Sequence, residues 1–528
     1  MKHHSFPALL SLCLILSGCS TAPTSTPSTS PVQTAEEAVS ITLSDQEILV
    51  DGQAITGTGA VTLSHDIVYY EADQGTAYGE GSPADEHPAE EAAAHSVITI
   101  REPGTYRISG TLSQGQIAVD LGEDANNDPA AVVTLILDQA EITCTVAPAI
   151  IVYHAYECAD EQAQSEVNTQ AAGFNLIVAD NTENYVKGAY VSKIYPAGTT
   201  NKLHKYDGAI ESKVSMNLDG ETEGNGILNV EASNEGIETV MHMTINGGNW
   251  FIHSADDSLN ANEDGISVIT INDGTVRCDA GAGEEGDGID SNGWIVINGG
   301  MVLASANPTS MDSGLDSDNG IVIHGGTVLA TGNMFDEIDE ASTQNVAVFS
   351  FAQTLTAADW LVLADNDGQP AVGLNAQNTY TILIYSSPQL DAQEYTLAQT
   401  SSVKGEDLGG LVTSVQSTDE LHALGYSQTT LGMGMRPQGG AFGKEENSQT
   451  GTAEDGRPQG ERPQPDEQAE RDLQPPADLK KPEEGDRPIQ DRQDQGVFNE
   501  EPGEVNSVFS LQSGISMFSG IRRLVEAE

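Results

Sequence analysis

Between residues 234 and 318 one short arrangement of oxygen-bearing side chains recurs. It reads Asn234-Glu-Gly-Ile-Glu238, Asp256-Asp-Ser-Leu-Asn260-Ala-Asn262, Gly286-Asp-Gly-Ile-Asp290-Ser-Asn292 and Asp312-Ser-Gly-Leu-Asp316-Ser-Asp318. An aliphatic residue (Ile237, Leu259, Ile289, Leu315) anchors each copy, and Glu238, Asn260, Asp290 or Asp316 follows it directly. Residues two apart on a strand share a face, so Asn262, Asn292 and Asp318 fall beside those side chains. Carboxylate and amide oxygens are hard donors, and Ca²⁺ takes six to eight of them at roughly 2.3–2.6 Å. The candidate metal ligands are Asp256, Asp257, Asn260, Asn262, Asp287, Asp290, Asn292, Asp312, Asp316 and Asp318. From 214 to 334 the chain has 19 Asp+Glu, no Lys and one Arg, Arg277, which lies in another column. Asp and Asn also serve turns, but turns do not call for acids in register on successive units. Acids stacked at a strand spacing of about 4.8 Å repel unless a cation lies between them.

The element that stacks them is legible in a second pattern. Ile245-Asn-Gly-Gly248, Ile271-Asn-Asp-Gly274, Ile297-Asn-Gly-Gly300 and Ile323-His-Gly-Gly326 each start 26 residues after the last. A strict period of this length marks a stacked-coil architecture. The units are short β-branched runs separated by Gly-containing turns, with no stretch long enough for a crossover helix. The expected fold is all-β: a parallel β-helix with a smaller C-terminal β module and a disordered tail. Period-2 alternation points Met243, Ile269, Ile295 and Ile321 inward, and Ile245, Ile271, Ile297 and Ile323 with them. After the turn, the columns of Trp250, Val276, Val302 and Val328 and of Ile252, Cys278, Ala304 and Ala330 also look inward, whereas Ser305 and Thr331 suit an outer face.

Composition and the ends bound the function. The chain of 528 residues carries 21 Lys+Arg against 80 Asp+Glu, a net charge of -59. Such acidity argues against nucleic acid and against direct binding to an anionic membrane surface. Lys2, the apolar run Phe6 to Leu16, and Leu16-Ser-Gly-Cys19 make residues 1–18 a lipoprotein signal peptide, with Cys19 the lipidated first residue of a secreted, surface-anchored chain. Residues 19–40 form a Ser/Thr/Pro tether. The remaining divisions are an N-terminal β region (41–213), the repeats (214–334), a C-terminal β module (345–432), a Pro/Gly/Glu-rich segment without periodicity (433–504) and a terminal β segment (505–528). Residues 71–95 read as an acidic loop. Cys278 reads as a small core residue, and Cys144 and Cys158 are the pair left to bridge in an oxidising compartment, free thiols being the alternative.

Trp294 precedes an inward position and should point outward, with His242 in the same column. An exposed Trp beside a polar row suits stacking on the apolar face of a pyranose, so Trp294 and His242 are the carbohydrate-binding candidates; cover by a loop is the competing reading. No catalytic residue is assigned. Elimination on a uronate needs a strong base, which the repeats lack; Lys187, Lys193, Lys202, Lys205 and Lys213 lie just before them.

The block Leu203-His-Lys-Tyr-Asp-Gly-Ala-Ile210, the stretch Asn234-Glu-Gly-Ile237, and the run from Glu285-Gly-Asp-Gly-Ile-Asp290 through Asp318 resemble the bacterial carbohydrate-binding domain-containing surface proteins. That resemblance spans about 41 to 432. It implies a right-handed parallel β-helix, bound Ca²⁺, affinity for plant cell-wall polysaccharide such as polygalacturonate or cellulose, and similarity to family-nine pectate lyases with an Asp-Asp-x-x-Asp calcium pattern. Asp256-Asp-Ser-Leu-Asn260 matches it with Asn in the last place, and Asp287 and Asp290 keep the outer acids of the next unit. The repeats hold no counterpart of the lyase's catalytic lysine. Three readings follow: a non-catalytic Ca²⁺-dependent polysaccharide binder, a pectate-lyase-like enzyme, and a surface protein merely stiffened by calcium.

Overall fold

The computed structural model describes residues 38–431 and 505–524, apart from 56, 160, 161 and 377. The signal segment 1–18, Cys19, the tether up to residue 37 and the segment 433–504 lie outside the described residues. The rest is nearly all β: forty strands, one helix of five residues (Ala89–Ala93) and one 3-10 turn (Glu123–Asn127), in large mixed sheets.

Three parallel ladders carry most of the chain. In the first, Ser96–Ile100, Gly115–Asp120, Ile150–His154, Gly208–Ser212, Glu235–Thr239, Leu259–Ala261, Ile289–Ser291 and Leu315–Ser317 pair in turn, with Val61–Ser64 antiparallel at the edge. In the second, Met216–Gly220, His242–Ile245, Val268–Ile271, Trp294–Ile297 and Gly320–Ile323 follow on from Phe174–Val178 and Val133–Thr143. The third runs from Glu183–Gly188 through Ile227–Ala232, Asn249–His253, Thr275–Asp279 and Met301–Ser305 to Thr327–Gly332. The ladders thus reach far back of the strict repeats. Insertions such as 122–132 and 155–173 break the spacing there while leaving the pairing intact.

Register aligns the isoleucines. Met243, Ile269, Ile295 and Ile321 pair in sequence, as do Ile245, Ile271, Ile297 and Ile323, and all are fully buried. Each fully buried aliphatic side chain contributes about 1.5–3 kcal/mol, and a unit obtains that burial only from its neighbours. Trp250 and Cys278 are buried in the facing columns, and the Trp250 indole N–H donates to the Gly247 carbonyl at 2.7 Å. Cys144, Cys158 and Cys278 are all free thiols, so the possible Cys144–Cys158 bridge is not formed.

The recurring Ile-Asn-Gly-Gly phrase has a physical cause. Asn272 Nδ2 donates to Asn246 Oδ1 at 2.9 Å, and Asn298 Nδ2 to Asn272 Oδ1 at 2.9 Å, forming an amide ladder along the turns. The last glycine of each turn, Gly248, Gly274, Gly300 or Gly326, is left-handed, with φ between 75° and 92°. The residue before it is not, so Asp273 is tolerated where the other units carry Gly.

The C-terminal end of the third ladder is covered on its outer side. Val346–Leu355, Tyr380–Ser386 and Ile515–Arg523 form a sheet joined to the last strand of the third ladder, and Leu303 and Leu329 pack into its core with Phe349, Tyr380 and Phe518. Ser305 and Thr331, expected on an open face, are therefore buried beneath this module. The stretch 71–95, expected to be a loop, ends in the short helix, which places the buried His95 against Glu91 and Thr145.

Gly300→Ala should destabilise the protein by roughly 1–2 kcal/mol for the left-handed backbone alone, and by more because its new Cβ would lie 2.7 Å from the Gly274 carbonyl oxygen. Asp273→Gly should be close to neutral. Urea unfolding of the two variants checks this.

Candidate functional site

The outward column of the first ladder is Glu211, Glu238, Asn260, Asp290 and Asp316, in direct register on five successive strands. Each follows an inward Ile or Leu (Ile210, Ile237, Leu259, Ile289, Leu315) that is fully buried and fixes which way its neighbour points. At the start of the same strands lies a second acidic set. Asp257 Oδ1 accepts the Asp287 amide N–H at 2.6 Å, and Asp287 Oδ1 accepts the Ser313 amide N–H at 2.6 Å. Asp312 Oδ2 accepts the Gly286 N–H at 2.7 Å.

The remaining candidates are scattered around this row. Asn262 donates to Glu238 Oε1, and Asn292 donates to the Asn262 carbonyl at 3.0 Å and to Asp264 Oδ1 at 3.1 Å. These amides tie the strands together with their nitrogens. Asp256 is half-buried beside the row, and Asp318 is exposed.

The row extends further than the candidate set. Glu211, Glu235 and Glu238 are buried in it, Asp207 lies at its N-terminal end, and Asp336 meets Asp316 at the other. The signal for the first of these was present. Asp207-Gly-Ala-Ile-Glu211 is the pattern of Asp287-Gly-Ile-Asp290 with one residue inserted, and the insertion hid the register.

Electrostatically the row is overloaded. Carboxylates one strand apart repel by about 3 kcal/mol at an effective dielectric near 20, comparable with a domain's whole net stability of about 5–15 kcal/mol once several pairs add. Lys205 pairs with Asp207 and Lys213 with Glu211, both at the N-terminal end. Among the described residues no ion pair reaches Asp257, Asp287, Asp290 or Asp316. Burial, then the Asp316 charge, pushes Asp290 up to about 7. Burial, then Glu285, pushes Asp256 up to about 6. Asp257, Asp287 and Asp316 are also raised, burial first and then their neighbouring acids.

Three buried oxygens in this region accept no hydrogen bond: Glu235 Oε2, Asn260 Oδ1 and Asp316 Oδ1. A buried unpartnered oxygen costs about 1–3 kcal/mol; Asn260 and Asp316 share the outward column, and Glu235 lies at the start of its strand in the second acidic set. Among the described residues no three acidic, His or Cys side chains converge as a ready cage. A cation here would draw on one or two carboxylates per gap, completed by amide and backbone oxygens. That donor set fits Ca²⁺ and does not suit a zinc site.

His242 and Trp294 lie elsewhere, on the outer side of the second ladder. His242 is buried, and its Nδ1 accepts the Val268 amide N–H at 3.1 Å. Trp294 is half-buried in an apolar patch with Val268, Val296, Val322 and Val167. Val167 belongs to the insertion 155–173, which Thr169 pins by hydrogen bonds to Asn217 and Thr244. His242 is thus enclosed, whereas Trp294 keeps part of its surface open beside the insertion.

The raised acids set a pH dependence. Asp290 ionises near 7 when folded against an ordinary 3.8, so its protonated form favours the fold. That stabilisation is full below about pH 4 and is lost as pH rises through about 7. In chelator, the melting temperature should fall between pH 5 and pH 8, and Ca²⁺ should restore it at pH 8 far more than at pH 5. Thermal unfolding across this range decides it; a flat profile would mean that the acids do not interact as described.

Among curated proteins, none matches the chain. Among solved structures, the polysaccharide lyase-like protein from C. thermocellum, in a gadolinium derivative, matches with a TM-score of 0.32 and 18% identity over 55% of this chain and 89% of that one, a likeness too slight to bear on the argument. Residues 94–382, more than half of the chain, match a protein-family model spanning the ladders and the first strands of the C-terminal module; the chain belongs to that family, the carbohydrate-binding domain-containing proteins.

Proposed function

We propose that this protein is a non-catalytic, Ca²⁺-dependent binder of plant cell-wall polysaccharide of the pectate or cellulose type, and that its ladders wind as a right-handed parallel β-helix. In this reading the chain is secreted and held at the bacterial surface by a lipid on Cys19, its one attachment to a membrane. The observation that carries the metal is the in-register row ending in unpartnered Asn260 Oδ1 and Asp316 Oδ1. Asp290 and Asp316 would hold the ion from adjacent strands, with Asn260 on the strand before supplying a further oxygen. Bound Ca²⁺ supplies positive charge to the row and an attachment point for glycan carboxylates. The chain's own residues position that charge on a rigid ladder. Without it, a protein with 80 acids against 21 bases repels an acidic polysaccharide.

A lyase is the competing reading, and Lys213 at the head of the row favours it. Its ammonium is committed: it binds Glu211, donates to the Lys205 carbonyl at 3.1 Å and lies 5.0 Å from the centre of the Tyr206 ring. Burial works against its charge, but Glu211 and Glu238 outweigh burial and hold it above the ordinary lysine value. A proton-abstracting base needs the opposite shift, so binding is the better reading.

Retention on insoluble polygalacturonate should require Ca²⁺ and vanish in chelator. Asp290→Asn combined with Asp316→Asn should weaken it by about tenfold or more, roughly 1.4 kcal/mol. Growth of unsaturated-product absorbance during incubation would sink the binding-only reading. A folded protein retained on no glycan would point to calcium as a stiffener alone.

A further inference from the structure

The outward column that carries the acids does not begin with them. Back along the first ladder from Glu211 it reads Ile151, Ala118 and Thr99, all uncharged. Over that stretch opens a cleft of about 870 Å³, towards the upper end of the range of roughly 300–1,000 Å³ typical of small-ligand sites. Thr99 and Ala118 lie on its floor, and Tyr153 and the segment Lys202 to Tyr206 line its walls.

Its charge is inverted relative to the molecule. Lys202, Lys205, Lys213 and Arg101 line it against three acids, Asp66, Asp120 and Glu123, in a chain with nearly four acids per base. Lys213 is tied down by Glu211. Arg101 and Lys205 keep side chains 49% and 46% exposed despite their partners Asp120 and Asp207. Lys202 is exposed, and no ion pair involves it among the described residues. Lys202 is thus the unpaired cation of the cleft, and with the exposed parts of Arg101 and Lys205 it gives an anion a place to bind.

The walls suit a sugar ring. Tyr153 and Tyr206 pack edge to face at 5.7 Å, which holds the half-buried Tyr153 in place. Leu203, between Lys202 and His204, stands 51% exposed and lines the cleft. A pyranose carrying a carboxylate offers what these groups lack: an apolar face for Tyr153 and Leu203, and an anion for Lys202 and Lys205.

We infer that this cleft is a metal-independent subsite for a uronate unit of an acidic glycan, its carboxylate received by Lys202 and Lys205. The inference rests on the carbohydrate-binding reading of the protein but not on calcium. It makes the outer side of the first ladder one track, with amino-acid cations at the N-terminal end and the acidic row beyond.

The test is calorimetric titration of the full chain with tri-galacturonate in excess chelator, where no metal bridge forms. Binding should occur, weaken with added NaCl, and exceed that of neutral cellotriose at least tenfold. Lys202→Gln with Lys205→Gln should weaken it by about tenfold or more, while the paired Arg substitutions retain it. Lys404→Gln, an exposed lysine outside the cleft, should leave it unchanged. Unchanged melting temperatures establish that the variants fold. Absence of binding in chelator overturns the subsite while leaving Ca²⁺-dependent retention standing. Equal binding of cellotriose overturns the anionic assignment, and full affinity in the double Gln variant overturns the location. Binding in chelator without any Ca²⁺-dependent gain on polygalacturonate would instead count against the calcium proposal alone.

Discussion

Everything here depends on in-register parallel pairing of short strands. Ile237, Leu259, Ile289 and Leu315 stack because each is too small a core to stand alone and its neighbour supplies the missing surface. That constraint is blind to what lies on the other side. If the inward residues align, the outward ones align too, so Glu238, Asn260, Asp290 and Asp316 are driven together by the same pairing that buries the aliphatics. The hydrophobic gain on one side thus holds an electrostatic strain on the other.

How that strain is relieved changes along the ladder. At the N-terminal end the protein uses its own cations, with Lys205 on Asp207 and Lys213 on Glu211. From 239 to 334 lysine is absent, and the acids are left with burial, mutual repulsion and unpartnered oxygens. On the inward side of the same strands Ser291 and Ser317 satisfy their hydroxyls on the backbone carbonyls of Ser267 and Gly293, a solution open to small neutral side chains and not to the carboxylates opposite. The retention of carboxylates where amides or hydroxyls would cost less is what makes the row read as a binding surface.

The other two ladders show the same logic with a different outcome. Chain from elsewhere lies on part of their outer sides, while Tyr185, Lys187, Glu231 and His253 at the N-terminal half of the third ladder stay exposed. The insertion carrying Val167 and Thr169 covers Val268, Val296 and His242, and the C-terminal module covers Leu303, Ser305 and Thr331. The first ladder differs from both in stacking carboxylates on successive strands, at Glu211, Glu238, Asp290 and Asp316 with Asn260 between them.

The sequence by itself determined the period, the inward columns and the stacked acids, since each is a local alternation repeated at a fixed interval. It also announced its turn chemistry, Ile-Asn-Gly-Gly, although the amide ladder of Asn246, Asn272 and Asn298 is a contact between residues 26 apart that only stacking creates. What it could not determine was the outer environment. Glu211 joined the row only when pairing absorbed a one-residue insertion, the ladders continued upstream through spacings too irregular to read, and His242 lost its open face, and Trp294 part of its own, to a distant loop. The cleft beside Lys202 and Lys205 likewise exists only because residues 62–123 and 202–213 meet across the first ladder. Inward positions answer to a repeat and are written in it; outward positions answer to whatever part of the chain folds back over them, and tertiary structure alone decides that.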